Sequence, residues 1–451
     1  MRSLLVTALA VLLWMTAGTT QAMMLSEAFD LATEHDPAIP QSLAIYDADT
    51  YRGRQISGTR LPQLHLSGEA ARGKTTIEDP PFAFDQPPVP GQESPETEEE
   101  YGNRFRASAE VRQPLYRRDW GARGQQARAL DEQAEVGRED RLQRMILRVA
   151  ERYFAVMEET ENLRLARAEK EALGKALEDT RARHEAGRVA TTDLREAQAR
   201  FDMARARTLR AESDLETARE ALHEITRNGF AELPGLSSEE ALPELEPAEV
   251  DDWLKLAREY NLNIREVREE VEVASAELAA RRSEYSPTLD ALAAWRYEDS
   301  TDFFEGQERT ERLIGLELTV PIYQGGVGRA AASEASYRHE AAMAQLARVT
   351  LETERQIRQR YRSVAADRTQ VEAAEQSVLS ARSARDATAS GYREGTRTIL
   401  DMLDAETRLT EARREEIQAR FGYLLNYLNL HYEAGVLEPD HIKDLDRLLE
   451  L

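Results

Sequence analysis

Two periods divide this chain. Phe105, Ala107, Ala109 and Val111 interleave with Arg104, Arg106, Ser108, Glu110 and Arg112. Ile314, Leu316, Leu318 and Val320 interleave with Gly315, Glu317 and Thr319, and Leu289, Ala291, Ala293, Trp295 and Tyr297 share one parity. Period two predicts strands with one apolar and one polar face, over about 63–78, 102–113, 288–300 and 311–321. Elsewhere the period lengthens. Leu142, Ile146, Val149, Tyr153, Val156, Thr160 and Leu163 step by four and three alternately, and Ile357, Val364, Val371 and Val378 step by seven. That seam predicts long helices packed side by side as in a coiled coil. No proline interrupts 121–186, so one helix can run throughout, with a shorter return over 192–226 and a medium helix over 263–284.

The order of elements is written twice. Asp36-Pro37-Ala38-Ile39 and Pro62-Gln63-Leu64 return as Asn261-Leu262-Asn263-Ile264 and Pro287-Thr288-Leu289, 225 residues on. Pro114-Leu115-Tyr116 returns as Pro321-Ile322-Tyr323 at an offset of 207. Val149, Tyr153, Val156, Gly187 and Asp193 return as Ile357, Tyr361, Val364, Gly395 and Asp401 at an offset of 208. Chance similarity among Ala/Glu/Arg-rich helices explains single matches but not a kept order. Each repeat reads as short helix, medium helix, two strands, very long helix, tight turn and returning helix. Residues 79–100 carry six prolines and the run Glu98-Glu99-Glu100, which predicts an exposed, poorly ordered hairpin loop.

Composition narrows the function classes. Lys+Arg number 59 against 83 Asp+Glu, a net charge of −24. Nucleic acid is therefore not an expected partner, because phosphate contacts need surplus cations. With 31% charged residues the chain is not a helical multi-span membrane protein. It has no cysteine and seven histidines without zinc-ligand spacing, so thiolate sites, disulfides and a bound metal are not expected. No Ser/His/Asp order or phosphate-binding glycine loop points to an enzyme or a cofactor. At the start, Arg2 precedes the apolar run Leu4 to Met15, and Thr20-Gln21-Ala22 follows. This predicts a secretory signal peptide over 1–22, too short in its apolar part to span a bilayer.

Four strands of this length could each cross a membrane when tilted. Lipid cannot satisfy an open sheet edge, so spanning strands must close into a barrel. Bacterial barrels have at least about eight strands, so copies must be shared: two, three or four chains would close. Trp295 and Tyr297 suit an interfacial aromatic girdle. The competing reading is a structural periplasmic coiled coil without a pore, with its hairpins packed on helices.

Further residues carry a family resemblance. Pro321-Ile322-Tyr323-Gln324-Gly325-Gly326 joins a strand to a long helix. Gly391-Tyr392-Arg393-Glu394-Gly395-Thr396-Arg397-Thr398-Ile399-Leu400-Asp401-Met402-Leu403-Asp404-Ala405 opens the last one, and Tyr423-Leu424-Leu425-Asn426-Tyr427-Leu428-Asn429-Leu430 ends it. With Ser26-Glu27-Ala28 and the internal repeat, residues 24–436 resemble the TolC-type outer-membrane efflux proteins. The resemblance implies a mainly α fold with a membrane β-barrel. Three chains would each give four strands to one 12-stranded barrel in the bacterial outer membrane, above a helical periplasmic tunnel. It divides the chain into a signal peptide (1–22), a first repeat (23–226), an equatorial linker (227–250), a second repeat (251–436) and a C-terminal tail (437–451). Its implied role is a passive exit duct for a tripartite efflux pump or a type I secretion system. Its implied partners are two further copies, outer-membrane lipid, a periplasmic adaptor, and an inner-membrane pump or ABC transporter.

The resemblance also implies site residues. Asp401 and Asp404, three apart on one helix face, would line the periplasmic constriction. Six carboxylates in a narrow ring should attract cations and raise some pKa values. Arg397, Tyr392, Thr192 and Asp193 match the gate latch, since an arginine and a tyrosine hydroxyl can both bond a carboxylate such as Asp193. Residue types alone also allow a surface ion pair, and allow Asp193 to cap its own helix. Gly187 with Arg188 and Gly395 with Thr396 would form the adaptor-facing tips. Here Ala186-Gly187-Arg188 departs from the family's usual Val-Gly-Leu, and Glu394-Gly395-Thr396 lacks the valine.

Overall fold

The computed structural model describes residues 22–78, 97–228, 232–236, 241–301 and 307–450. Most of the expected signal peptide and most of the proline-rich loop lie outside the described residues, as do parts of the expected linker. In the first repeat the elements are α1 (Leu25–His35), α2 (Ala38–Gly58), β1 (Gln63–Glu78), β2 (Thr97–Tyr116), α3 (Trp120–Glu185) and α4 (Thr191–Thr226). A short strand follows, β3 (Gly235–Leu236). The second repeat is α5 (Val250–Tyr260), α6 (Leu262–Arg282), β4 (Thr288–Ser300), β5 (Gln307–Thr319), α7 (Val327–Arg393) and α8 (Ile399–Ala434), and the tail adds α9 (Pro439–Asp446) and β6 (Leu449–Glu450).

The duplication recurs in local chemistry. Asp36 and Asn261, 225 residues apart, are both buried and both open a medium helix. The Asp36 carboxylate accepts from Ala38 N–H at 2.8 Å, and Asn261 Oδ1 accepts from Ile264 N–H at 2.9 Å. Short polar side chains satisfy the donors that a helix start leaves open.

The chain divides into two compact units. One comprises 47–135 and 266–347 and holds an antiparallel sheet in the order β1-β2-β4-β5. Strand register sorts its side chains by face. Leu64, Val111, Ala293 and Ile314 lie in one cross-strand row, and Leu66, Ala109, Trp295 and Arg312 in the next, so the face is apolar except for Arg312 in these two rows. That face is also open: Leu66 is 75% and Ile314 90% exposed. The opposite face carries cross-strand ion pairs. Arg106 meets Glu298 at 3.0 Å and Arg112 meets Glu317 at 3.2 Å, and Arg117, just past the end of β2, meets Asp290 at 3.0 Å.

Two strands differ from the sequence expectation at both ends, β2 running over Thr97–Tyr116 against 102–113 and β5 over Gln307–Thr319 against 311–321. β2 begins at Thr97, so Glu98-Glu99-Glu100 belongs to the strand and not to the loop; its backbone pairs with Thr75, Thr76 and Ile77. Ladder hydrogen bonding to a β-branched partner strand outweighs the unfavourable glutamates there. β5 ends at Thr319, before Pro321, a residue that has no N–H to donate to a ladder.

The other unit comprises 1–46, 136–265 and 348–451. Its core is the predicted seam: Ile146, Val149, Tyr153, Val156, Leu163, Ile357, Val364 and Val371 are all buried. Leu142 and Thr160 depart from the expectation and are exposed, and Val378 is half-buried. β3 pairs with β6, joining the linker to the tail. Trp253 of α5 is fully buried, donates to Pro247 O at 2.7 Å and stands edge-on to His431 of α8. The tail also holds the start of the described chain, since Asp446 accepts from Leu25 N–H at 2.9 Å.

Candidate functional site: the tips of the paired helices

Every predicted site residue falls where α3 turns into α4 or α7 turns into α8. Both turns use the same device. α3 ends with Gly187 at φ 72°; Gly187 N–H donates to His184 O and Arg188 N–H to Arg183 O, each at 2.8 Å. α7 ends with Gly395 at φ 77°; Gly395 N–H donates to Tyr392 O at 3.1 Å and Thr396 N–H to Gly391 O at 2.8 Å. This paired bonding satisfies the last carbonyls of a helix and needs a left-handed residue, which only glycine adopts freely. Gly187, Arg188, Gly395 and Thr396 are all exposed.

Behind the turns sits a small separate core. Leu173, Ala176 and Leu177 of α3 pack with Ala197 and Ala204 of α4 and with Ile399 and Leu403 of α8; Tyr392 of α7 leans on it. The apolar cluster fixes the rotation of each helix, and so the direction of the polar side chains around it.

Tyr392 donates its hydroxyl to Asp179 of α3 at 3.0 Å. Arg183 bonds the same carboxylate at 2.9 Å and lies 4.8 Å from the centre of the Tyr392 ring. Burial, and then the Asp179 carboxylate, push the Tyr392 phenol up. Within the chain, then, Tyr392 is bonded to Asp179 and not to Asp193. Asp193 stands in the first turn of α4, with its carboxylate 3.5 Å from the Thr192 hydroxyl. It is not the helix cap: the cap position is Ala190, whose side chain can accept nothing. Arg397 is exposed in the second turn, near enough to Asp401 to favour its charged form.

Asp401 and Asp404 have different local duties. Thr398 caps α8, its hydroxyl accepting from Asp401 N–H at 3.1 Å. In return Asp401 accepts from Thr398 N–H at 2.9 Å and from its hydroxyl at 2.8 Å. This reciprocal box holds two helix donors. The backbone bond from Thr398 pulls the Asp401 carboxyl below its ordinary value. Within one chain that direction is opposite to the rise expected from crowded carboxylates. Asp404, one turn on, is bonded by Arg200 of α4 at 2.8 Å. Arg200 also bonds Glu196 at 3.0 Å.

Asp179, Arg183 and Arg200 were not singled out from the sequence. The spacing of four that joins Asp179 to Arg183 and Glu196 to Arg200 is a recognisable helix pair. Nothing local says which of many such pairs reaches a second helix.

The comparisons agree with this architecture. The outer membrane efflux protein family model matches residues 28–226 and 253–435. The chain is 30% identical over 431 residues to outer membrane protein TolC of Vibrio cholerae, spanning 95% of this chain and 94% of that protein. It is 27% identical over 446 residues to the proteases secretion protein PrtF of Dickeya chrysanthemi, with 97% and 93% covered. Among solved structures, the Campylobacter jejuni CmeC outer membrane channel superposes with a TM-score of 0.72 at 17% identity, covering 95% of this chain and 90% of that one. VceC of Vibrio cholerae superposes with a TM-score of 0.70 at 19% identity, covering 91% and 96%. Because the matched ranges take in both repeats, with their strands and their helix tips, this chain belongs to the outer membrane efflux protein family.

Proposed function

We propose that the chain is one of three copies that close a 12-stranded barrel in the outer membrane and continue as a periplasmic exit duct. The observation that carries this reading is the sheet itself: an open, largely apolar face on one side, ion-paired side chains on the other, and two edge strands, β1 and β5, whose outer edges are unpaired among the described residues. An apolar face suits lipid, a polar face suits a water-filled lumen, and the edges demand neighbours. The relatives named for protease secretion and the family model described for efflux support a passive duct for either cargo class. The duct would receive its cargo from an inner-membrane pump or ABC transporter through a periplasmic adaptor that meets the tips at Gly187, Arg188, Gly395 and Thr396. Asp401 and Asp404 would line its aperture, and the latch would lie around Arg397, Tyr392, Thr192 and Asp193.

Native mass measurement in mild detergent tests the assembly, with a species of three mature chains expected. A monomer that washes from membranes without detergent would favour the coiled-coil reading instead.

A further inference from the structure

The internal duplication specifies how neighbouring copies join, on the reading that several copies close one barrel. Equivalent strand residues are 225 apart between β1 and β4 and 207 apart between β2 and β5. The two hairpins obey these offsets to the residue. Gln63 pairs with Arg112 in the first, and their equivalents, Thr288 and Thr319, pair in the second. Within the chain the hairpins are joined by β2 and β4, where Arg112 faces Leu292 and Val111 faces Ala293. That junction is a contact between the end of one repeat and the start of the next. At a subunit boundary β5 meets β1 of the following copy, which is again the end of one repeat and the start of the next.

We propose that β5 pairs with β1 of the neighbouring copy in the register of the internal β2–β4 junction. Thr319 then faces Ser67 of the neighbour and Leu318 faces Gly68 of the neighbour.

Three features favour this register. Parity keeps the apolar face continuous, because Leu318 and Gly68 both belong to the open apolar face, whereas a slip of one residue would send every side chain to the wrong side. At two positions a large residue meets a small one, Leu318 on Gly68 and Leu316 on Ala70, as Trp295 meets Ala109 inside the chain, while Ile314 faces Arg72. Crossing from β1 to β4 also climbs the ladder by four residues: Gln63 leads through Arg112 to Leu292, the equivalent of Ser67. The proposed boundary repeats that climb, so six hairpins share one constant step, with a total shear of about 24 residues and steeply tilted strands. Like-charge oppositions follow from the register. Arg312 faces Lys74 of the neighbour, whose ammonium lies 6.0 Å from the centre of the Tyr101 ring of its own chain. On the opposite face Glu317 faces Glu69 of the neighbour, and each already has a guanidinium from its own chain, Arg112 at 3.2 Å and Arg106 at 3.7 Å.

The chain has no cysteine, so disulfide trapping reads the register without background. Directly opposed strand residues sit at Cα separations that a disulfide spans, and residues displaced by two along the ladder do not. β1 and β5 lie at opposite edges of the sheet, so a bond between them joins two copies. Full-length protein in outer membranes is oxidised with Thr319→Cys plus Ser67→Cys, and separately with Leu318→Cys plus Gly68→Cys. Adjacent pairs alternate between the close and wide types of the ladder, so at least one suits the bond. A covalent trimer as the main band is expected on denaturing gels. The controls are Thr319→Cys with His65→Cys and with Glu69→Cys, which test slips of two residues and should cross-link several-fold less. Arg112→Cys with Leu292→Cys reports the same geometry inside one chain. If a slipped pair traps the trimer and the proposed pairs do not, the register is overturned and the barrel stands. A trimer by native mass with no band from any pair also overturns it. A monomer by native mass overturns the barrel reading and the register together.

Discussion

Arg200 of α4 bonds Asp404 of α8 at 2.8 Å, so one of the two aspartates assigned to the aperture carries its own counter-ion. The link ties the third turn of α4 to the second turn of α8, across the duplication. If the proposed aperture ring forms, α4 as well as α8 would set its charge.

Replacing that arginine should sharpen cation binding. In Arg200→Gln, compact trivalent cations should block the channel from the periplasmic side a few-fold more tightly than in wild type, consistent with ~0–1 kcal/mol for an exposed pair. Planar-bilayer titration measures this, and added salt should shrink the difference. Unchanged or weaker block would show that Asp404 does not face the permeating ion.

Asp401 should keep its charge to unusually low pH. Its capping bond with Thr398 holds its carboxyl below the ordinary value of 3.8. A depressed carboxyl contributes its stabilisation above the ordinary pKa and loses it as pH falls through the lowered one. Block measured between pH 5 and pH 4 should therefore persist, and Thr398→Ala should make it fade at higher pH. Asp401→Asn combined with Asp404→Asn should remove most of the block at every pH while leaving the trimer intact. Block as tight as wild type in that double variant would place the ring elsewhere.

Tyr392→Phe isolates one bond. The ring keeps its packing on the tip core, and only the hydroxyl that donates to Asp179 is lost. If this contact helps hold the tips closed, single-channel conductance should rise, with a similar rise for Asp179→Asn. Arg397→Ser should raise conductance by a separate route, so combining it with Tyr392→Phe should give a larger effect than either change alone. An unchanged conductance in Tyr392→Phe, with the trimer intact, would reduce the α3–α7 link to simple packing.

His431 makes stability pH-dependent far from the tips. Burial lowers its pKa to about 4 from 6.5. The unfolded chain therefore takes up a proton that the folded chain refuses, and stability falls as pH drops from about 6.5 to about 4. The shift corresponds to roughly 3 kcal/mol for each chain. Thermal unfolding across that range should show the slope, and His431→Gln should flatten it. Equal slopes in both proteins would mean that the ring near Trp253 and His441 is hydrated in solution.

Much of the molecule is legible along the chain. The repeat, the two periods, the faces of each strand and the turn glycines are local properties. A β-strand shows its two faces through a period of two, and a helix end that needs positive φ asks for glycine. The offsets of 225 and 207 even carry the hairpin registers, because duplicated strands keep duplicated partners. What only the tertiary structure decided is who meets whom between helices. Asp179 answers Tyr392, and Arg200 answers Asp404, because the tip core sets the rotation and axial offset of four helices at once. Leu142 continues the seam and is still exposed, and Asp401 completes a capping box with Thr398 on α8, whereas its repeat equivalent Asp193 on α4 has Ala190 at the cap position. A period records which face of a helix is apolar. The depth at which a neighbouring helix stops, and the side chain it offers there, depend on packing between segments hundreds of residues apart.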